Sequence, residues 1–287
     1  MFFQNFVMAI LFLYFGSSAG FCERICTVPK AENCVAITFD DGPDPETTPA
    51  ILAIPKEYKA HATFFVTGRN AEMFPEILRE IARSKNEVGN HSFDHPDLLM
   101  CSDEQICAEL DRTNSVIARI IPGYNVLVFR PPFSRIDGNI ERIVEGRGMK
   151  NVIWSGSPGD WLDLLAKIIA ERVLAAARPG AIFVMHDGRD PKSKIEGKLC
   201  HWNTVKALPE ILEGLKKRGW QVSRSASSWK NSNYINRVLK SGGIGREKKS
   251  DCSFDPAFGF VINRHGDGSG NGRSSSKKLC RSGKDAK

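Results

Sequence analysis

The sequence predicts an α/β fold in which βα units surround a mainly parallel sheet or barrel. Two observations carry the prediction. Short β-like runs alternate with amphipathic helical stretches between residues 34 and 229, and polar groups suited to chemistry recur where four of the apolar runs stop. No self-similar period suggests a solenoid instead.

Taken in order, Val35, Ile37 and Phe39 alternate with smaller or polar residues, as a half-buried strand does, and Gly42-Pro43 breaks the run. Residues 46–58 follow as a helix with Ile51, Leu52 and Ile54 on one stripe, which Pro55 is expected to shorten or kink. Residues 62–66 form the second strand. Residues 75–84 place Ile77, Leu78 and Ile81 at helical spacing, residues 87–89 give a third strand, and residues 104–120 a longer helix. Strands are then expected at 126–129, 151–154, 181–185 and 220–223, with helices at 161–177 and 208–217, the last ended by Gly219.

A chain of 287 residues that is 41% hydrophobic can build a sizeable core. Residues 6–15 are apolar and residues 17–20 small, so residues 1–20 are expected to be a secretory signal cleaved after Ala19 or Gly20. The n-region lacks Lys and Arg, and an uncleaved anchor is the alternative. Eight cysteines, all beyond that segment, allow disulfides in an exported protein; their spacing does not give the pairing, and buried free thiols are the other reading.

The net charge of +7 is unevenly spread: residues 1–229 hold 27 basic and 28 acidic side chains, residues 230–287 hold 13 and 5. The folded part therefore lacks the basic balance of a nucleic-acid binder, and no nucleic-acid partner is expected. The tail, residues 230–287, is rich in Gly, Ser and Lys, a composition expected to stay disordered; weak attraction to an anionic envelope surface is its one suggested interaction.

The chemistry concentrates at four strand ends: Asp40 and Asp41, His91 and His95, Arg130, and His186 with Asp187. In a parallel α/β protein, that edge is where loops on a rigid scaffold build sites. Neighbouring strand residues point to opposite sides, so one acid could ligate a cation while the other acts on substrate. His91 and His95 would share a face if they began a helical turn. With Asp41 they make a set of two histidines and one carboxylate that leaves positions open, as catalytic zinc sites do. Cobalt, manganese, iron or nickel could use the same ligands.

Five motifs in order resemble the polysaccharide deacetylases of carbohydrate esterase family 4, the NodB-homology domain. They are Thr38-Phe39-Asp40-Asp41-Gly42-Pro43, His91-Ser92-Phe93-Asp94-His95, Arg130-Pro131-Pro132-Phe133, Asp160-Trp161, and Ile182-Phe183-Val184-Met185-His186-Asp187. The resemblance covers about residues 34–225, within an expected domain over residues 34–229, and implies a distorted (β/α) barrel that removes acetyl groups from sugar polymers with the help of a divalent metal. It implies Asp41, His91 and His95 as metal ligands, Asp40 as general base and His186 as general acid. Arg130 would orient Asp40, and Asp160 would pair with His186. Phe133 would give a backbone N–H to the oxyanion, and Trp161 and Val184 would wall the acetyl pocket. Phe133 stands where Tyr is common, Ser134 where Gly is frequent and Ser157 where many members carry Asp. The charged segment 188–202 is also unusual. The expected partner is an acetylated glycan, chitooligosaccharide or peptidoglycan, met in the periplasm, at the cell surface or outside the cell. An acetylated xylan, or a glycan-binding role with little turnover, is the alternative.

Overall fold

The computed structural model describes residues 24–28, 33–58, 60–162, 164–192, 201–225, 252–255 and 260–263. The expected signal segment, residues 1–20, and most of the basic tail lie outside them. Seven strands form one sheet: β1 (Cys34–Asp40), β2 (Thr63–Val66), β3 (Glu87–Asn90), β4 (Val128–Phe129), β5 (Lys150–Asn151), β6 (Ile182–His186) and β7 (Gln221–Ser223). The order is β5-β4-β3-β2-β1-β6, every pairing is parallel, and β7 pairs with the first residues of β1. Isolated bridges from Ile25 to Val152, Thr27 to Ala181 and Gly156 to Phe183 link the β5 side to β6. The curled sheet is the distorted (β/α) barrel that the family resemblance implies.

Period-two alternation sorts β1 into two environments. Val35, Ile37 and Phe39 join the larger apolar cluster with residues of the surrounding helices, and the Phe39 and Phe64 rings lie 5.1 Å apart. Ala36 joins a smaller cluster inside the curl with Ile25, Phe65, Val128, Val152 and Ile182. Asp40 lies on that second, inward side, two and four residues beyond Thr38 and Ala36.

The helices are α1 (Thr47–Tyr58), α2 (Gly68–Met73), α3 (Pro75–Arg83), α4 (Asp103–Ile120), α5 (Gly138–Glu145), α6 (Ala166–Ala176) and α7 (Trp202–Lys217). Pro55 does not shorten α1, which runs three residues past it. The buried Ile51 and Leu52 anchor the turn before it. The helix expected over 161–177 is split. Asp160–Leu162 is a separate 3-10 turn and α6 begins at Ala166. α7 starts six residues earlier than expected, at Trp202. Helices α2 and α5 have no counterpart in the sequence reading. Capping accounts for α5, which opens with the Asp137 side chain accepting from the Asn139 and Ile140 N–H groups.

Cys26 is disulfide-bonded, whereas Cys34, Cys101 and Cys107 are free. Within the tail, the described residues form one antiparallel pair, β8 (Cys252–Asp255) and β9 (Phe260–Asn263). No helix among the described residues is long and apolar enough to cross a membrane.

Candidate active site

Parallel register sets the strand ends side by side. Asp40 pairs with His186 across β1 and β6 and with Phe65 across β1 and β2, while Val66 pairs with Asn90 and Asn90 with Phe129. His91 and Arg130 are therefore each the first residue after neighbouring strands. Residues nearly one hundred and fifty positions apart meet at one edge because each ends a strand of the same sheet.

Alternation along β1 does not send Asp41 away from Asp40. Asp41 has φ 73°, a left-handed conformation beyond the strand's last residue, and its carboxylate comes back to the site. Its Oδ1 lies 3.4 Å from His91 Nε2 and 3.3 Å from His95 Nε2, and Asp40 Oδ2 lies 3.9 Å from the same His91 nitrogen. Both acids thus face one imidazole.

The histidine segment is not a helical turn. Ser92 and His95 have φ of 64° and 54°, and the loop is held by side chains instead. Asn90 accepts from the Ser92 N–H, Ser92 Oγ from the His95 N–H, and Glu109 on α4 from the N–H groups of both Phe93 and Asp94. Gly68 at the start of α2 donates to the Ser92 carbonyl, and a Cβ there would lie 2.4 Å from the Phe93 ring, so only glycine allows this approach. The loop still brings the two imidazoles to 5.0 Å.

His91 Nδ1 is 2.7 Å from the Arg130 carbonyl, which can only accept, so Nδ1 carries a proton and Nε2, which faces the acids, is the nitrogen that could ligate a cation. One donor atom each from Asp41, His91 and His95 lies within 4.8 Å of the others. Asp41 Oδ1 is buried without a hydrogen-bond partner, the signature of an oxygen that a cation would satisfy. These residues fit a divalent metal. Burial would raise the Asp41 carboxyl, but the neighbouring imidazoles of His91, His95 and His186 outweigh it and hold Asp41 well below the usual carboxylate range.

Asp40 is held from below. The fully buried Arg130 guanidinium donates from one nitrogen to Asp40 Oδ1 at 2.6 Å and to Thr38 Oγ1 at 2.7 Å, and from another to the Val152 carbonyl at 3.1 Å. It lies 4.1 Å above the Phe65 ring.

On the other side, His186 Nδ1 lies 3.0 Å from Asp160 Oδ1, and the His186 backbone N–H donates to Asp160 Oδ2 at 2.8 Å. Thr204 Oγ1 on α7 donates to the same Oδ2 at 2.9 Å. Burial works against the imidazolium, yet the Asp160 charge and hydrogen bond, with Asp41 and Asp40, push His186 up to about 10. Both Asp160 oxygens are thus engaged, by His186 and Thr204. Trp161 packs edge-on at 5.5 Å from His186 and is 42% exposed, while Val184 is buried on the inward side of β6, two residues before His186. Phe133, with φ 56°, packs edge-on against His95 at 4.6 Å.

All ten residues expected from the sequence are brought to this edge. Four partners were missed as individuals. His201 stacks on His186 at 5.4 Å, Asp190 lies 3.6 Å from His95 Nδ1, Thr204 supports Asp160, and Asn70 donates to the Asp41 carbonyl at 2.7 Å. The charge-rich segment 188–202 signals the first two; nothing in the sequence singles out Thr204 or Asn70.

A parallel barrel carrying a two-histidine, one-carboxylate cluster beside an acid–histidine pair has the makings of a hydrolase with a candidate metal site. The polysaccharide deacetylase family model matches residues 27–152. The chain is 32% identical over 199 residues to a chitooligosaccharide deacetylase of Azorhizobium caulinodans, covering 68% of this chain and 94% of that one. It is 34% identical to a peptidoglycan-N-acetylmuramic acid deacetylase of Bacillus subtilis, but spans only 38% of that longer protein. A crystal structure of a peptidoglycan N-acetylglucosamine deacetylase superposes with TM-score 0.65 at 32% identity, over 73% of this chain and 94% of that one. The chain belongs to the polysaccharide deacetylases, carbohydrate esterase family 4.

Proposed function

We propose that this chain is a metal-dependent hydrolase that releases acetate from N-acetylglucosamine units of a chitooligosaccharide or peptidoglycan. The observation that carries it is the meeting, at one sheet edge, of the Asp41–His91–His95 cluster with Asp40 and the His186–Asp160 pair. Names of relatives on both substrates support the class.

Asp41, His91 and His95 would hold the ion, with zinc favoured by two imidazole nitrogens and one carboxylate. When bound, such an ion lowers the pKa of water and polarises a carbonyl. Asp40, oriented by Arg130, takes the proton of the attacking water as its oxygen bonds to the acetyl carbon. The Phe133 main-chain N–H is the donor assigned to the developing oxyanion. The C–N bond then breaks as His186, held protonated by Asp160, gives its proton to the departing amine. Products are acetate and the free amino sugar. Trp161 and Val184 flank His186 and are assigned to the acetyl pocket.

The apolar segment over residues 6–15 and the bonded Cys26 support export to an oxidising compartment, at the envelope or outside the cell. Weak attraction to an anionic surface remains the role suggested for the basic tail.

The test is acetate release from chitooligosaccharides and from peptidoglycan, with Asp40→Asn and a chelator as controls. Activity lost in both controls, and restored by adding metal back to the chelated enzyme, is the expected result. Binding of these glycans by metal-loaded protein without any acetate release would replace the enzyme reading with that of a glycan-binding protein.

A further inference from the structure

The two imidazoles of the cluster differ in what stands behind them. An imidazole that offers Nε2 must carry its proton on Nδ1, and a buried N–H without an acceptor is costly. His91 meets this need from the main chain, through the Arg130 carbonyl at 2.7 Å, which no side-chain substitution removes. His95 Nδ1 is also buried but has no hydrogen-bond partner. Facing it at 3.6 Å is Asp190 Oδ2, about half an ångström beyond hydrogen-bond length. Asp190 is 32% exposed at its side chain, so a small rotation toward the ring meets little packing.

The backbone around Asp190 is fixed relative to the cluster. Asn70 on α2 gives one side-chain nitrogen to two carbonyls, that of Asp41 at 2.7 Å and that of Arg189 at 3.0 Å. One amide therefore joins the residue that supplies the carboxylate ligand to the residue just before Asp190. Asp190 Oδ1 accepts from the Lys192 N–H at 2.8 Å, which leaves Oδ2 to turn toward His95. Lys192 Nζ lies 3.5 Å from Asp94, the neighbour of His95, so the two loops are also tied at the surface.

We propose that Asp190 is a positioning residue of the metal centre: it accepts from His95 Nδ1–H and fixes that ring with Nε2 toward Asp41, while Asn70 holds it in place by joining the Asp41 and Arg189 carbonyls. The inference rests on the metal-site reading above. It gives a role to Asp190, an acid that no step of the hydrolysis uses.

The test measures metal affinity, not turnover. Full-length protein stripped with a chelator is titrated with zinc against a chromophoric competitor, for wild type, Asp190→Ala, Asp190→Asn and Lys192→Ala. Outer partners of ligating histidines are worth about 10- to 100-fold in affinity, so Asp190→Ala is expected to bind zinc weaker by that factor. Asp190→Asn, which keeps an acceptor oxygen, should fall between, and Lys192→Ala should stay within about twofold of wild type by the weakness of exposed ion pairs. The unfolding midpoint of zinc-free Asp190→Ala should match that of zinc-free wild type. Wild-type affinity in Asp190→Ala overturns the proposal, as does an affinity loss accompanied by a lower zinc-free midpoint. A wild type that binds no zinc or other divalent ion overturns the metal-site reading itself, an outcome distinct from the other two.

Discussion

Replacing Asp187 with asparagine should stabilise the metal-free protein, and do so increasingly as pH rises. Asp187 is fully buried beneath the turn after β1, where a Cβ on Gly42 would lie 2.2 Å from its carboxyl oxygen. Thr48 Oγ1 donates to Oδ2 at 2.6 Å, and Oδ1 has no hydrogen-bond partner. Burial, opposed only in part by the Thr48 hydrogen bond and reinforced by the charges of Asp41, Asp40 and Asp44, pushes Asp187 up to about 8 from 3.8. Below 3.8 the group is protonated in both folded and unfolded chains and has no linkage. Between 3.8 and about 8 the folded chain keeps a proton that the unfolded chain has released, so stability falls with rising pH. The slope is about 1.4 kcal/mol per pH unit, or about 4 kcal/mol between pH 5 and pH 8. Asparagine keeps the shape, cannot ionise and removes this loss. Urea unfolding of both proteins in chelator, at fixed ionic strength across that range, should show the variant gaining on wild type by up to that amount. A difference that stays constant with pH would refute the claim that Asp187 is buried as a neutral acid.

Two further outcomes test the pairs around it. Arg130→Met leaves the buried Asp40 without its cation and strips a donor from the Val152 carbonyl, and should cost about 3–5 kcal/mol in urea unfolding; Arg130→Lys should recover only part, because an ammonium cannot reproduce the planar fork, and an unchanged midpoint in Arg130→Met would count against the pair. Asp160→Asn removes the leading influence that raises His186, so its imidazolium should deprotonate at lower pH. The alkaline limb of acetate release should shift downward and the rate fall by about 10²–10⁴, whereas an alkaline limb that does not move would contradict His186 as the proton donor.

The strand ends were legible because a strand needs few residues and its pattern is local. Val35, Ile37 and Phe39 announce β1, and the polar residue after an apolar run marks each edge position. Boundaries that depend on distant partners were not legible. Asp160–Leu162 leaves the helical path where the Asp160 carboxylate is bound by His186 and Thr204, from β6 and α7. Pro55 is tolerated because buried neighbours hold the turn before it. Asn70 is a surface-type residue in a short helix, and its role exists only because α2 starts against the histidine loop. The five ordered motifs carried the site; its supporting partners come from packing.

The same contrast bears on how the proposed mechanism gives two adjacent acids different work. Strand alternation would separate Asp40 and Asp41 by pointing them to opposite faces, and that argument fails because Asp41 lies one residue past β1 with left-handed backbone. Both carboxylates then reach the same His91 nitrogen, and direction no longer distinguishes them. Their second partners do. Asp40 has one oxygen bonded to a buried guanidinium, while Asp41 has an orphaned oxygen between two ring nitrogens. An oxygen already bonded to a fixed cation is poorly placed to satisfy an ion but well placed to orient its twin toward a water. An oxygen with no partner and two imidazoles beside it is half of a coordination sphere. Under the proposed mechanism, the division of labour between the acids is thus set by Arg130 and His95, residues about ninety and fifty-five positions away, and not by the dipeptide itself.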